Sequence, residues 1–310
     1  MRFCFGAALA LIAKLASTLP DFYLYRVDRV MGISNELLHT WVGDWLRDAL
    51  LAMIAAGIVV WAVLWLVERT HQWYIYTAGA IVVVGIASAY LAPVLFASSQ
   101  NQYEPLRGTL SVRVLSIERR LGIAPFPVVV ENRSLRSQLA VADVQGIGNT
   151  RRLVLSDTLL AGESRAETLF VVARELRYVE RDDALRRAIY DALLVILGVA
   201  MAVFVADRIR FRRDDDALSR IALVAALLAC AYVIVTPVNR AIQRSMASDA
   251  DAFAVALTGD RAAAERSIVR EVDQSMAEVC PSFSVRLFLE RTPAASTRIA
   301  RINGVPSGCQ

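Results

Sequence analysis

The composition of this 310-residue chain indicates a membrane protein. Hydrophobic residues make up 56% of the chain, charged residues make up 21%, and the mean hydropathy is +0.45, whereas a soluble domain averages only about 45–50% apolar residues. That composition excludes a disordered chain, and four cysteines do not make the framework of a disulfide-stapled module. The net charge of +4 is scattered and gives no reason to expect a nucleic-acid partner.

Five apolar stretches are long enough to cross a bilayer, whose hydrocarbon core needs about 20 helical residues. In chain order they cover about residues 3–19, 49–67, 73–97, 188–206 and 221–238. The first is the weakest because it contains Lys14, and the fourth is interrupted only by Asp191. We therefore predict an integral membrane protein with four or five spans. The first stretch is interpreted as an uncleaved helix, because Lys14 lies late in the apolar run; a cleaved signal peptide is the alternative.

These spans divide the chain into four parts. Residues 1–97 form a membrane region, residues 98–187 the first half of a folded polar domain, residues 188–238 a pair of spans, and residues 239–310 the second half of that domain. Arginines near the span ends favour a cytoplasmic polar domain, whereas the arginines of the short loop 207–220 favour the opposite orientation. The orientation therefore stays open.

The first polar segment carries a helical pattern followed by strand patterns. One helical face that ends near Gly122 is formed by Leu110, Val114, Ile117 and Leu121. Strands are predicted over residues 127–131, 137–143 and 151–156. The glycines of segment 146–148 are interpreted as a turn, because a phosphate-binding loop needs a helix to follow and here a strand follows.

A helix then begins at the capping-box pattern Ser164-Arg-Ala-Glu167. Its predicted apolar face consists of Leu169, Val172, Ala173 and Leu176. Residues 174, 175 and 178 lie within one turn of each other, so their side chains can point at a common site. After the last span, Asp260 is expected to cap a further helix whose inward face is Ala264, Ile268, Val272 and Met276.

The order of these elements and four local motifs resemble the integral-membrane zinc metalloproteases typified by the type 1 CAAX prenyl protease. The motifs are the run 146–160, the helix segment 171–178, the segment 250–254, and Thr292-Pro293 followed by Arg298. The first is the most specific, since the family carries a similar Gly-x-Gly…Arg-x-Val-Leu-x-Asp-Thr-Leu-Leu run before its active helix. The resemblance implies a mainly α-helical membrane bundle with a small β-element and a metalloprotease-like helical domain.

The resemblance also implies zinc chemistry for the family. Two histidines at i and i+4 on one helix bind the metal, and the glutamate after the first histidine acts as general base. A glutamate from a later helix is the third ligand, and an aspartate four residues after it orients a ligand histidine. The metal lowers the pKa of bound water to about 7, which creates a nucleophile at neutral pH.

This sequence departs from the family at every zinc ligand. The two histidine positions are occupied by Arg174 and Tyr178, and the third-ligand position is occupied by Ala247. By contrast, the general-base position is kept as Glu175 and the orienting aspartate is kept as Asp251.

Two further family motifs are only partly kept. The Asn-Ala-Tyr of the substrate-binding strand is Val141-Ala142-Asp143 here, and the His-Pro near the C-terminus is Thr292-Pro293, although its later arginine is retained as Arg298.

No other set of residues offers a zinc site in the sequence. His39 and His71 lie beside the N-terminal spans, Cys230 lies inside a span, and Cys280 and Cys309 have no partner at metal-ligand spacing. Glu175, Asp249 and Asp251 without an imidazole do not suit zinc, and Arg174 would place a permanent positive charge at the metal position. We therefore expect no metal cofactor in this chain, although the family uses zinc.

The sequence suggests what replaces the metal. Buried carboxylates without a cation are costly, so we hypothesise that Arg174 neutralises Glu175, Asp251 and also Asp249. Tyr178 is expected to be a packing residue rather than a catalytic acid.

Three functions are compatible with these observations. The first is a pseudoprotease that binds a peptide or protein partner at the strand edge Val141–Asp143 without cleaving it. The second is an active zinc metalloendopeptidase with a remodelled site, acting on membrane or prenylated substrates. The third is a structural or transport bundle, suggested by Asp191 within a span, which we interpret instead as an interfacial residue. The lipid bilayer is the expected partner, and a bacterial plasma (inner) membrane the expected location.

Overall fold

A computed structural model describes residues 1–70, 72–95, 103–208 and 217–309. Its helices are α1 (Arg2–Val30), α2 (Leu38–Arg69), α3 (Trp73–Leu95), α4 (Thr109–Arg120), α5 (Asp157–Gly162), α6 (Arg165–Glu180), α7 (Asp183–Arg208), α8 (Ala217–Thr258), α9 (Arg261–Ser275), α10 (Phe283–Phe288) and α11 (Ala295–Asn303). Its strands are β1 (Tyr103–Pro105), β2 (Val128–Glu131), β3 (Ala142–Gln145) and β4 (Arg152–Ser156). His71, the end of the predicted third span and most of the arginine-rich loop lie outside the described residues.

Five of the described helices are long and apolar enough to cross a membrane, namely α1, α2, α3, α7 and α8. All five predicted spans are thus confirmed by the length and composition of these helices, and the chain is an integral membrane protein. The helices extend beyond the apolar stretches: α8 has 42 residues, of which the predicted span 221–238 is less than half. Helix α7 likewise begins before the predicted span 188–206.

The described chain forms two compact units. One consists of Met1–Val84 and Ala192–Tyr232, and the other of Gly85–Asp191 and Val233–Gln310. The second unit contains the four-stranded sheet and all of the residues that match the family's active-site motifs.

Close packing of α1 on α2 depends on two glycines. A Cβ atom added at Gly6 would lie 2.5 Å from the carbonyl oxygen of Ala56 and 2.8 Å from Cβ of Val60, and one added at Gly57 would lie 2.5 Å from the ring of Phe3. Small residues of this kind allow the backbones of membrane helices to approach closely. The first predicted span is therefore part of a packed helix pair.

The sheet has the strand order β1-β2-β4-β3. Strands β2 and β4 are parallel, with Val128 opposite Leu153, and the other two pairings are antiparallel. Strand β4 is the most deeply buried, because Leu153, Val154 and Leu155 are 0–3% exposed. The predicted strands 127–131 and 151–156 and the turn at 146–148 are confirmed, with Gly146 and Gly148 both at positive φ.

The predicted strand over residues 137–143 has the wrong limits, since β3 begins at Ala142 and continues to Gln145. The reason is that the backbone amides of the residues just before β3 bind side chains instead of another strand. The amide of Ala140 donates to Oε1 of Gln274 at 3.0 Å, and the amide of Val141 donates to Oγ of Ser156 at 2.9 Å. These two amides are thus satisfied by side chains rather than by the backbone of a neighbouring strand.

The sheet packs with helices α4, α5, α6, α8, α9 and α11 around an apolar core. Helix α6 contributes Phe170, Val172 and Leu176, α4 contributes Val114, and α9 contributes Ile268, all of them buried. Helix α4 ends where Gly122 adopts a φ of +67°, as predicted, and Asp260 caps α9 through the amide of Ala263. Met276 was placed on the inward face of α9, but this is wrong, because α9 ends at Ser275 and Met276 is 55% exposed.

The C-terminal segment is closed by a disulfide bond between Cys280 and Cys309, which are 29 residues apart. The loop that it closes contains α10 and α11. From the sequence these two cysteines are considered only as metal ligands, and the bond between them is not predicted. Cys4 and Cys230 are free.

Candidate functional site

Helix α6 holds the residues at the family's active-helix positions in a defined register. Its start is determined by the predicted capping box, in which Ser164 Oγ accepts from the amide of Glu167 and the Glu167 side chain accepts from the amide of Ser164. The face that carries Phe170, Ala173 and Leu176 packs into the core. As a result Glu175 is buried, with 6% of its surface exposed.

The Arg174 guanidinium points at three carboxylates. Its Nε lies 3.4 Å from Oε1 of Glu175, and its Nη1 lies 4.0 Å from Oδ1 of Asp251 and 3.5 Å from Oε2 of Glu271. The first two contacts are those expected from the sequence if this arginine compensates the retained acids. The third carboxylate, Glu271, comes from α9.

Arg298 supplies the second positive charge at the same place. Its Nε and Nη2 donate to the two oxygens of Asp251 at 2.7 and 3.0 Å, and its Nη1 donates to Oε2 of Glu271 at 2.8 Å. Bidentate guanidinium–carboxylate pairs of this kind are among the stronger hydrogen-bonded contacts in proteins. Arg298 is 5% exposed and Asp251 is also 5% exposed, so this pair is buried.

We call the five residues Arg174, Glu175, Asp251, Glu271 and Arg298 the arginine–carboxylate cluster. Glu271 was not among the predicted site residues. It follows Ile268 by three residues and Ala264 by seven, so it lies on the helical face predicted to be inward. An acid at that spacing is the signal that could have identified it.

The two arginines of the cluster stabilise the negative charges of Glu175 and Glu271 to different extents. Burial raises the pKa of Glu175 to about 7, against the influence of Arg174, and the neighbouring Asp143 and Glu271 add to the increase. For Glu271, desolvation by the surrounding residues also favours the neutral acid, although 44% of the side chain is exposed, but Arg174 and Arg298 overcome it and lower its pKa to about 2. Glu175 has one long contact to a guanidinium, whereas Glu271 contacts both arginines.

The pKa of Arg174 is raised even though burial opposes its charge, because Glu271, Glu175 and Asp251 surround it. The raised pKa of Arg174 favours its charged form, whereas the raised pKa of Glu175 disfavours its charged form, although the two residues are in contact. The difference follows from the number of neighbours: Arg174 faces several carboxylates, while Glu175 shares one guanidinium with two other acids. Arg174 is therefore a permanent cation in this site.

The remaining two ligand positions carry no metal-binding group. Ala247 is 4% exposed and presents only a methyl group. Tyr178 is partly buried, and burial raises its pKa to about 12, so the phenol stays protonated at neutral pH. The guanidinium of Arg174 has only donors.

These side chains do not fit zinc, which needs imidazole, thiolate or carboxylate ligands in a tetrahedral arrangement. Among the residues that the structure describes, no group of three or more histidines, cysteines, aspartates or glutamates is able to hold a metal ion.

Asp249 lies outside the cluster, contrary to the expectation that Arg174 neutralises it. It accepts from Nε of Arg177 and Nη1 of Arg181, both at 2.9 Å. Arg177 also pairs with Glu180 and lies over the ring of Phe253. Asp249 precedes Asp251 by two residues on α8, so its side chain leaves a different face of that helix.

The predicted substrate edge lies on β3, at the margin of the sheet. Strand β3 pairs with β4 only, in the described part of the chain. The amide of Ser156 donates to the carbonyl of Val141, and the antiparallel alternation then directs the backbone groups of Ala142 and Val144 away from β4. Asp143 follows in the register opposite Val154 and acts electrostatically on Glu175.

Asp191, the charged residue within the fourth predicted span, is exposed and accepts a hydrogen bond from Asn239 at 3.5 Å. Asn239 immediately follows the apolar run of α8. Both residues therefore lie at the polar ends of their apolar segments.

Two protein-family models together match nearly the whole chain. Residues 118–305 match the model of peptidase family M48, and residues 2–98 match the model described as CAAX prenyl protease N-terminal, five membrane helices. The structure is similar to the crystal structure of Ste24p from S. mikatae, with a TM-score of 0.84 and 20% sequence identity, over 97% of this chain and 75% of that one.

Individual relatives are distant in sequence. An uncharacterized metalloprotease, YhfN, of Bacillus subtilis (strain 168) is 25% identical over 95% of this chain and 71% of its own length. CAAX prenyl protease 1 of Saccharomyces cerevisiae is 25% identical over 63% of this chain, and this match spans 44% of the yeast protein. The matched region is therefore less than half of that relative.

Proposed function

The chain belongs to peptidase family M48, as a membrane-embedded relative of the CAAX prenyl proteases, and from that premise we propose that it is a pseudoprotease, which binds a polypeptide without cleaving it. The observation that carries this proposal is the position of Arg174. This guanidinium, at the position that we assign to the first ligand, contacts Glu175 and Asp251, the two acids that we assign to the retained family pattern.

The chemistry of the cluster supports a loss of hydrolysis. Free water has a pKa near 15.7, and a carboxylate with a pKa of about 7 is far too weak a base to deprotonate it without help. The groups beside Glu175 are Arg174 and further acids. None of them is a Lewis acid able to polarise a water molecule, so Glu175 lacks the help that a general base would need here.

The strand edge supports retained binding. Extended peptides add to an exposed edge through backbone hydrogen bonds, and this mode needs no metal. In β3 the outward groups belong to Ala142 and Val144, and the strand contacts α6, which carries Arg174 and Glu175. We propose a peptide or protein segment in extended conformation as the client, and a bacterial plasma membrane as the location, in line with the Bacillus subtilis relative.

Cleavage and binding are tested on the full chain in lipid nanodiscs. We expect no cleavage of unstructured protein or of prenylated peptide, with or without added zinc. Cleavage that is lost in Glu175→Ala would overturn the proposal in favour of the active endopeptidase.

For binding, Val144→Pro removes an outward amide that β4 does not use, while Val144→Ala keeps it. Photo-crosslinking of an extended peptide pool should fall several-fold in the proline variant only. Equal crosslinking in both variants would exclude β3 as the binding edge.

A further inference from the structure

Helix α8 marks one boundary of the membrane. Between Arg220 and Arg240 it has 19 uncharged residues, which span about 28 Å at 1.5 Å per residue. This length matches the roughly 30 Å hydrocarbon core of a bilayer. Asn239 and Arg240 therefore lie where the hydrocarbon region ends, beside Asp191.

Two arginines of α8 hold the α10 segment at this level. The Nε of Arg240 donates to the carbonyl of Phe288 at 3.2 Å, and Nη1 of Arg244 donates to the carbonyls of Arg286 and Glu290 at 2.6 and 3.1 Å. Arg240 and Arg244 lie about 3 and 9 Å beyond Val238 along the helix axis. The headgroup region extends roughly 5–7 Å on each side of the core. The carbonyl of Phe288, which Arg240 holds, therefore lies at headgroup level, and the carbonyls that Arg244 holds lie at its outer edge.

The α10 segment exposes apolar side chains at this position. Leu289 is 67% exposed, Phe283 is 69% exposed and Phe288 is 37% exposed. Moving these side chains from water into the boundary between headgroups and acyl chains would be favourable, because it removes apolar surface from water. Such side chains, together with flanking basic residues, are typical of segments that lie in the membrane interface.

The charge around the segment is positive. Residues 283–291 together with the two arginines of α8 contain four arginines, Arg240, Arg244, Arg286 and Arg291, and one acid, Glu290, for a net charge of +3. Basic residues next to a span are attracted to anionic lipid headgroups.

We propose that residues 283–291 form an interfacial anchor, in which Phe288 and Leu289 enter the boundary between headgroups and acyl chains and the arginines face anionic phospholipid. The occupant of this surface is the lipid leaflet in which α8 ends, because the segment is hydrogen-bonded to α8 at that depth. The anchor attaches the loop that carries α10 to the membrane independently of whether the cluster binds zinc.

Spin-label depth measurements test the anchor on the full chain in vesicles of phosphatidylcholine and phosphatidylglycerol. In a Cys4→Ser/Cys230→Ser background, the label is placed at Leu289→Cys or at the matched control Val112→Cys on α4, since both side chains are 67% exposed. The label at residue 289 should collide several-fold more with oxygen than with an aqueous nickel chelate, and the label at residue 112 should show the reverse. Phe283→Cys gives a second position within the segment.

Two outcomes would overturn the anchor. Equal accessibility to the nickel chelate at residues 289 and 112 would show that the segment lies in water. Protection of residue 289 from both reagents would show that a protein surface, not lipid, covers it. The charge contribution is tested by Arg291→Glu, with the exposed Arg113→Glu as control: only the former should shift the label at residue 289 toward the aqueous phase, and no shift would refute the role of anionic lipid.

Discussion

Two groups of ion pairs lie on α6 one turn apart, and they differ in burial. Around Arg174 and Arg298 the acids Glu175 and Asp251 are less than 9% exposed at their side chains, whereas Glu271, at the rim of the cluster, is 44% exposed. Around Arg177 the side chain of Asp249 is 40% exposed and that of Arg181 is 37% exposed. The first group contains the residues that the sequence predicts to correspond to the family's zinc site, and the second lies beside it.

The difference in burial gives a physical reason for keeping Asp251 and Arg298, which the sequence predicts to be retained from the family pattern. Removing one partner of a buried ion pair leaves an uncompensated charge and costs about 3–5 kcal/mol, whereas an exposed pair contributes roughly 0–1 kcal/mol. Asp251 and Arg298 satisfy each other in a buried bidentate pair. They are therefore required for stability whether or not a metal is bound.

The largest expected effect is that of Arg298→Ala. This change leaves Asp251 and Glu271 with Arg174 as their remaining cluster cation, and we expect the free energy of unfolding to fall by about 3–5 kcal/mol. The exposed Arg181→Ala is the matched control and should cost at most about 1 kcal/mol. Denaturant unfolding in detergent measures both. If both variants lost a similar free energy of unfolding, the buried and the exposed ion pairs would not differ in their contribution to stability.

The disulfide should contribute nearly as much, because it closes the loop that carries Arg298 into the cluster. For a 29-residue separation, loop-closure entropy predicts a loss of about 3–4 kcal/mol in Cys280→Ser/Cys309→Ser. Cys4→Ser/Cys230→Ser alters two free cysteines and is expected to have little effect. An unfolding curve that does not change on reduction would contradict this role.

A smaller effect is expected in the pH dependence of the free energy of unfolding, and it comes from Glu175. Its pKa is raised from 4.5 to about 7 in the folded state, so the neutral acid contributes stability that is fully present below pH 4.5 and is lost as the pH rises through about 7. The shift corresponds to about 3 kcal/mol, at about 1.4 kcal/mol per pKa unit.

Glu175→Gln should remove this part of the pH dependence between pH 5 and pH 8. Glu163, whose pKa burial also raises to about 7, is unchanged in this variant and contributes equally to both curves. Free energies of unfolding at the two pH values measure the difference. An identical pH slope in both proteins would mean that Glu175 is not held as a neutral acid.

The smallest effect is expected for Asp249→Asn in the exposed group. Its contacts with Arg177 and Arg181 are open to solvent, so the loss should be at most about 1 kcal/mol and should vanish in about 1 M salt, where the Debye length is near 3 Å. Thermal unfolding at low and high salt measures it. A decrease of several kcal/mol in the free energy of unfolding that persists at high salt would show that the Asp249 ion pairs contribute as much as the buried ones.

Local signals predicted much of the fold. The capping box located the start of α6, the apolar runs located all five candidate spans, and the turn at Gly146 and Gly148 was read correctly. The limits of β3 were missed because the backbone of Ala140 is bound by Gln274, a residue 134 positions away. Periodicity in the sequence carries no information on such distant side-chain contacts.

The site was predictable only where it follows the family pattern. The contacts of Arg174 with Glu175 and Asp251 were expected from the substituted ligand position. Glu271 was missed because it belongs to no retained motif, and Asp249 was misplaced because two residues along a helix turn a side chain by about 200°. The roles assigned to these residues stay predictions until the variants above are measured.

The most direct test of the central claim is the zinc content of the purified chain, measured by mass spectrometry without chelators during purification. The matched variant is Arg174→His/Tyr178→His/Ala247→Glu, which restores the family's ligand set around Glu175 and Asp251. If Arg174 replaces the metal, we expect far less than one zinc per native chain, with zinc binding gained in the restored variant. One tightly bound zinc per native chain, lost on Glu175→Ala or Asp251→Ala, would contradict it.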